Sequence, residues 1–202
     1  MKVDEGYIKY SAMHEKSSGF EALGWEELNE ARSKCYKLGL VGVYQDGIGY
    51  GNLSIRYKGE EFFISGTATG SKPVLACEDY CLVRSFNIAR NSVNSQGPVQ
   101  ASSESMTHGA IYRARHGVNC VIHIHSKKIY DSMIKDNYPS TPKNAAFGTP
   151  DIALAVEKCA ETIGKDEGQI VLAGHDEGII AYGANIERAL ELIMELYIKY
   201  GG

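Results

Sequence analysis

Two histidines in the segment VNCVIHIH and a third histidine farther along the chain are spaced so that they could bind a metal ion. His123 and His125 are two residues apart in a segment with the composition of a β-strand. Both imidazoles therefore project from the same face and can bind one cation at roughly 2.0–2.1 Å. His175 lies in a tight loop between two predicted strands. Three imidazoles with an open fourth position are typical of a catalytic zinc site, because neutral ligands leave the ion its positive charge. The alternative is a pair of half-buried histidines that hydrogen-bond within a sheet.

A carboxylate and two serines mark the predicted start of a helix in the segment ASSES. Ser102 or Ser103 is predicted to cap a helix that runs to about Arg115, and capping alone explains this pattern well. The serine hydroxyls and the exposed backbone N–H groups would also make an anion pocket. Glu104 can serve as a general acid or base beside a metal ion. His108 shares a helix face with Glu104 and is expected to make a supporting hydrogen bond.

Two glycine-rich segments could bring the backbone close to a ligand. Gly51 with Asn52, and the loop GTATGS that begins at Gly66, supply glycines for close approach and hydroxyls for phosphate oxygens. Glycine-rich loops are usually only turns. Neither segment matches the phosphate-binding fingerprints of P-loop or dinucleotide-binding proteins, so neither identifies a ligand by itself.

Helical and extended patterns along the chain predict the elements that position these residues. Apolar residues that recur at three- and four-residue steps, with caps at the ends, predict helices over 25–38, 102–115, 126–135, 149–164 and 185–201. Strands are predicted in LSIRY, EFFIS, YCLVRSF, VNCVIHIH, QIVLA and GIIAYG. The segment LVGVYQDGIGYGN is predicted to lack a regular element, and RNSVNSQGP is predicted to be a polar loop. Because no repeat or linker is found, one α/β domain over residues 1–202 is expected.

Length and composition exclude several classes of protein. The chain has 202 residues, of which 44% are hydrophobic and 23% charged, so it can form one sizeable core and is neither disordered nor fibrous. The formal net charge of −4 excludes a broad basic surface, so no nucleic-acid partner is expected. The sequence lacks a signal peptide and a run of about 18 apolar residues, so a cytoplasmic protein without a membrane partner is expected. The 5 scattered cysteines predict reduced, mostly buried thiols.

The order of these motifs along the chain resembles the class II aldolase/adducin family. The pattern consists of Gly51-Asn52-Leu53-Ser54-Ile55-Arg56, the Ser-Gly-Thr loop, Ser102-Ser103-Glu104 with His108 and Tyr112, His123-x-His125-Ser126, Phe147-Gly148-Thr149 and the late His175 loop. Each motif alone is weak, but the ordered set is specific and extends over most of the chain. The resemblance implies a three-layer α/β/α sandwich with a mainly antiparallel central sheet, and a homotetramer with active sites between subunits.

The resemblance also implies a role for each candidate residue. The metal, Zn²⁺ or another divalent ion, would be bound by His123, His125 and His175, and a substrate phosphate would be held by Asn52, Gly66, Thr67, Thr69, Ser102 and Ser103. Zinc would bind the oxygens of a small phosphorylated keto-sugar and stabilise an enediolate, while Glu104 moves the proton as catalytic acid or base. The implied function is a zinc-dependent aldolase-type lyase that cleaves or forms a C–C bond. The alternatives are a dehydratase of a ketose phosphate and a non-catalytic scaffold of the adducin type. Glutamate at position 104 favours aldolase or dehydratase chemistry, because the epimerase branch of the family has aspartate there.

Three features depart from the family pattern. Asp176 and Glu177 follow His175, where the family usually has glycine directly after the ligand histidine. Either His175 or Asp176 can then occupy the ligand position, and we favour His175. The segment before Gly51 is longer than in the aldolase pattern, and the GTATG loop is extended, which leaves open which threonine contacts the anion. The sequence ends at Gly202, so the C-terminal tail that carries a catalytic tyrosine in the aldolase is expected to be missing.

Overall fold

The computed structural model describes residues 8–19 and 24–201. In these ranges the elements follow the chain in the order β1 (Ser11–Lys16), α1 (Trp25–Lys37), β2 (Gly42–Val43), β3 (Gly49–Tyr50), β4 (Asn52–Lys58), β5 (Glu61–Ser65), β6 (Tyr80–Asn87), β7 (Ser92–Gly97), α2 (Ser105–Ala114), β8 (Cys120–His125), α3 (Lys127–Lys135), α4 (Pro150–Ile163), β9 (Gly168–Val171), β10 (Gly178–Gly183) and α5 (Ile186–Leu196). A π-helical turn, Tyr197–Gly201, follows α5. Each predicted helix and strand has a counterpart among these elements. None of the helices in the described part of the chain is long and apolar enough to cross a membrane.

Eight strands of the described residues form one sheet, in the order β1-β7-β6-β5-β4-β8-β10-β9. Neighbouring strands run antiparallel except β1 and β7, which run parallel. The strands β2 and β3 form a separate antiparallel hairpin. The prediction of a mainly antiparallel central sheet is therefore confirmed.

Helices cover both faces of this sheet. One core joins a face of the sheet to α1, α3 and α5, through residues such as Leu28, Ile129 and Ile193. A second core joins the opposite face to α2 and α4, through residues such as Ile111 and Val156. Burial of one such aliphatic side chain contributes about 1.5–3 kcal/mol relative to exposure, so apolar packing holds both helical layers on the sheet. The predicted three-layer α/β/α architecture is confirmed.

The strand β8 shows the predicted alternation of side chains. Ile122 and Ile124 pack in the core with α1, α3 and α5, whereas Val121 packs in the core with α2 and α4. Because side chains alternate along a strand, His123 and His125 lie on the same face as Val121. The histidine pair therefore lies on the side of the sheet that carries α2.

Three segments differ from their predicted structure. RNSVNSQGP, predicted to be a loop, contains β7, which hydrogen-bonds to β6 on one side and β1 on the other and buries Val93 and Ser95. Pairing with β6, which precedes it in the chain, and with the distant β1 overrides the weak strand preference of polar residues. LVGVYQDGIGYGN contains the β2–β3 hairpin, in which the N–H of Tyr44 donates to the carbonyl of Ile48 at 2.8 Å. The sequence does not predict β1, because most of its side chains are exposed and show no apolar alternation.

Candidate active site

Three imidazoles converge at one end of the sheet. His123 and His125 extend from β8, and His175 comes from the loop between β9 and β10. The Nε2 atom of His125 lies 3.1 Å from Nε2 of His123 and 2.9 Å from Nε2 of His175. All three residues are buried, at 1%, 3% and 5% exposure in chain order. Asp176, the alternative third ligand, is exposed, so it is His175 that the structure brings to the pair.

The shape of the β9–β10 loop directs His175 toward the pair. The N–H of His175 donates to the carbonyl of Leu172 at 2.8 Å, and the N–H of Gly178 donates to the carbonyl of His175 at 3.0 Å. A Cβ atom at Gly178 would lie 2.3 Å from Cδ2 of His175 and 3.2 Å from Cε1 of His123. Gly178 also pairs with His125 across β10 and β8. This glycine is therefore needed for the three rings to approach one another.

The neighbours of the histidine pair leave its Nε2 atoms available to a metal ion. Nδ1 of His123 lies 3.1 Å from the carbonyl oxygen of Ile179. Because a carbonyl only accepts, Nδ1 carries the proton and Nε2 carries the lone pair. Burial, together with the other histidines of the cluster, holds the pKa of His123 and of His125 well below the ordinary value. Both rings are therefore neutral near pH 7, and converging neutral imidazoles fit Zn²⁺ or another divalent ion that prefers nitrogen.

Glu104 lies beside the histidine cluster. It is 3% exposed and lines a small cavity that is also lined by Gly49, Tyr50, Gly51, Asn52, Ser103, His123, His125, Phe147 and His175. As the N-cap residue of α2, its backbone carbonyl accepts from the N–H of His108 at 3.1 Å. The structure thus brings the predicted acid or base and the predicted metal ligands to one cavity.

The predicted cap of α2 is wrong. The helix begins at Ser105, with Glu104 at the N-cap, rather than directly after Ser102 or Ser103. The hydroxyl of Ser102 instead accepts from the N–H of Glu104 at 3.3 Å, and the hydroxyl of Ser105 donates to the carbonyl of Ser102 at 2.7 Å. Ser102 therefore stabilises a turn before the helix, and this turn brings Glu104 to the cavity wall.

A second cavity, of about 170 Å³, adjoins the histidine cluster. All of the predicted anion-binding residues line it, namely Asn52, Gly66, Thr67, Thr69, Ser102 and Ser103. Asn52 and Ser103 line both cavities and so connect them. The Oδ1 atom of Asn52 is buried without a hydrogen-bond partner among the described residues. Leaving such an oxygen unpaired costs about 1–3 kcal/mol, which a ligand that donates a hydrogen bond would offset.

The two threonines of the GTATGS loop occupy different positions. The hydroxyl of Thr69 donates to the carbonyl of Gly66 at 2.9 Å and holds the loop closed. The backbone N–H of Thr67 donates to the backbone carbonyl of Gln100 at 2.9 Å. Thr67 itself is half-buried at the cavity wall. Gly70 lies against the β2–β3 hairpin, because a Cβ atom there would be 2.2 Å from the carbonyl oxygen of Gly42.

A buried arginine, which the sequence analysis missed, holds this loop by hydrogen bonds to backbone carbonyls. Arg32 of α1 is 2% exposed and donates to the carbonyl of Thr69 at 3.0 Å and of Lys72 at 2.7 Å. Burial lowers the pKa of its guanidinium from the ordinary value. The sequence does contain a signal for this role: Arg32 falls on the apolar face of a predicted helix, at helical spacing from Leu28 and Cys35.

We expect Arg32→Met to lower the free energy of unfolding by roughly 2–3 kcal/mol, because two loop carbonyls lose a charged donor. Urea unfolding followed by circular dichroism measures this change. The control is Arg84→Met, which removes a half-exposed arginine that donates to Gln96 at 2.7 Å on the sheet surface. Equal stabilities of the two variants would show that Arg32 does not hold the loop.

His108 makes the predicted supporting hydrogen bond. Its Nδ1 atom lies 2.7 Å from the hydroxyl of Ser54, which also lies 2.8 Å from the hydroxyl of Tyr112. Burial lowers the pKa of His108 to about 3, so the ring is neutral at physiological pH. This network ties α2 to β4 behind the histidine cluster.

One family model and several solved structures are similar to this chain. The family model for the Class II Aldolase and Adducin N-terminal domain matches residues 26–197. Among solved structures, an L-fuculose 1-phosphate aldolase is similar with a TM-score of 0.67 and 20% identity, over 89% of this chain and 84% of that chain. The L-fuculose-1-phosphate aldolase from Thermus thermophilus has a TM-score of 0.59 and 20% identity, over 85% and 88% of the two chains. An aldolase II superfamily protein from Pseudomonas syringae has a TM-score of 0.55 and 17% identity, over 85% and 71%. No curated protein sequence matches the chain significantly.

Proposed function

Because the chain belongs to the class II aldolase and adducin family, we propose that it is a metal-dependent lyase of the aldolase type. Its reaction would cleave or form a C–C bond in a small phosphorylated ketose. The observation that carries this proposal is the convergence of three buried imidazoles in a cavity that also contains Glu104. Structural zinc sites are usually closed and rich in thiolates, whereas an all-histidine set beside a carboxylate favours catalysis.

In this proposal His123, His125 and His175 would hold the metal ion, Zn²⁺ or another divalent ion. When bound, the ion supplies positive charge that stabilises negative charge on a substrate oxygen. Glu104 acts as the general base on the hydroxyl group at the bond to be cleaved, and returns the proton to the carbon left behind. Its burial beside the ligands keeps bulk water from competing for that proton.

We propose that the adjoining cavity holds the substrate phosphate. Hydroxyls of Thr67, Ser102 and Ser103 supply donors, and Gly66 allows the backbone to approach the anion. Thr69 shapes the loop through its bond to Gly66. Asn52 lies at the border of the two cavities, where its side chain can contact the part of the substrate between the phosphate and the metal.

The test is retro-aldol cleavage of a panel of ketose 1-phosphates by the purified protein, with Zn²⁺ added and after treatment with a chelator. We expect a metal-dependent release of dihydroxyacetone phosphate and an aldehyde in equal amounts, because the C3–C4 bond breaks. A product that has lost water with its carbon chain intact would assign the dehydratase alternative. Absence of both turnover and bound metal would favour the non-catalytic scaffold. The homotetramer and the cytoplasmic location stay predictions, and light scattering on the purified protein measures the first.

A further inference from the structure

Two side chains outside the histidine cluster connect to one of its imidazoles. The hydroxyl of Tyr44 lies 2.9 Å from Nδ1 of His125 and 3.1 Å from Oε2 of Glu177. Tyr44 lies in the turn of the β2–β3 hairpin, and Glu177 lies in the β9–β10 loop just after His175. Both residues are half-buried. The series Glu177, Tyr44 and His125 therefore runs from the edge of the site to a proposed metal ligand.

The carboxylate fixes the direction of the hydrogen bonds in this series. An ionised carboxylate only accepts, so the phenol O–H of Tyr44 donates to Glu177. The phenol oxygen then presents a lone pair to His125, and Nδ1 of that ring must donate. With the proton on Nδ1, the lone pair of Nε2 points to the other two histidines. Without the carboxylate, the phenol could donate to Nδ1 and favour the opposite tautomer.

The backbone holds the two side chains in these positions. Glu177 has a φ angle of 66°, a left-handed conformation that is uncommon for residues other than glycine. Its carbonyl accepts from the N–H of Ser126 at 3.1 Å, which ties the loop to the end of β8. The ring of Tyr44 packs on Tyr50 with the centroids 4.5 Å apart. A strained residue held by surrounding contacts is typical of a functional position.

We propose that Tyr44 and Glu177 are positioning residues that lock His125 in the tautomer protonated on Nδ1 and thereby increase the metal affinity of the site. The effect on affinity rests on the proposed function, because it requires that the histidines bind a metal ion. Partners of this kind orient a ligand histidine and make it more basic.

Zinc affinity of the full chain tests the proposal, measured by competition with a chromophoric chelator. We expect Tyr44→Phe and Glu177→Ala each to weaken Zn²⁺ binding about 10–100-fold. The double variant should bind no more weakly than the weaker single variant, because the two groups act in series. Tyr44→Phe keeps the ring and its packing on Tyr50, so a loss of affinity cannot come from lost packing.

The matched control is Tyr36→Phe. This tyrosine lies in α1, lines neither cavity of the site, and its hydroxyl donates to the carbonyl of Ser71. We expect its Zn²⁺ affinity to equal that of the wild type. Wild-type affinity in Tyr44→Phe, or an equal loss in Tyr36→Phe, would overturn the proposal.

A second measurement works without metal and separates this proposal from the proposed function. Nitrogen-15 shifts of the His125 ring in the metal-free protein report which nitrogen carries the proton. We expect Nδ1 to be protonated in the wild type and Nε2 to gain the proton in Glu177→Ala. If the wild type binds no zinc, the proposed function fails, while the shifts still decide the tautomer. If the wild type binds zinc but the shifts do not respond to Glu177→Ala, only the role of Tyr44 and Glu177 fails.

Discussion

Replacement of His123 by alanine is expected to remove the bound metal ion and to lower kcat/KM for a phosphorylated ketose by roughly a thousandfold. His123 supplies one of three Nε2 atoms, and its Nδ1 proton is already committed to Ile179. Two remaining imidazoles leave the ion underligated, and without the ion negative charge on the substrate oxygen loses its main stabilisation. Metal content after dialysis, measured by mass spectrometry, and steady-state kinetics check the two parts of this expectation.

The sheet should survive this substitution, because β8 pairs with β4 and β10 through backbone bonds that alanine keeps. Circular dichroism tests this point. His14→Ala is the control: this histidine is half-buried in β1, which four strands separate from β8, and its Nδ1 lies 3.0 Å from the hydroxyl of Ser95. It should keep wild-type metal content and activity. Wild-type metal content in His123→Ala would refute the proposed ligand set.

The substitution Glu104→Gln is expected to lower kcat by about 10²–10⁴-fold while the metal stays bound. Glutamine has nearly the same shape, so it fits the buried position at the start of α2 but cannot take up a proton. Because the substrate phosphate would bind in the adjoining cavity, KM should change little. Steady-state kinetics with parallel metal analysis gives all three quantities.

Glu26→Gln serves as the control for this variant, since it makes the same change in the first turn of α1, where the side chain is exposed. It should leave kcat unchanged. Retention of wild-type kcat in Glu104→Gln would exclude this residue as the acid or base. A loss of metal in Glu104→Gln would instead make the carboxylate a fourth ligand.

Local patterns in the sequence determined where the candidate residues lie within their elements. Side-chain alternation is a property of any strand, so His123 and His125 share a face whatever sheet β8 joins. The helix predicted over 149–164 matches α4, because Pro150 fits the first helical position and Gly164 takes the left-handed φ of 70° at the C-cap. The start of α2 was misjudged, because a serine that stabilises a preceding turn resembles a helix cap in sequence.

Contacts between distant segments were decided only by the tertiary structure. His175 reaches the histidine pair because β10 pairs with both β8 and β9, and Arg32 reaches Thr69 because α1 packs beneath the loop. The polar strand β7 forms because it has a partner on each side. Tyr44 and Glu177, which meet at the cluster, are 133 residues apart in the chain. A periodic pattern reports the preferences of neighbouring residues, whereas the free energy that pairs remote strands and stacks helices on them comes from the packing of the whole fold.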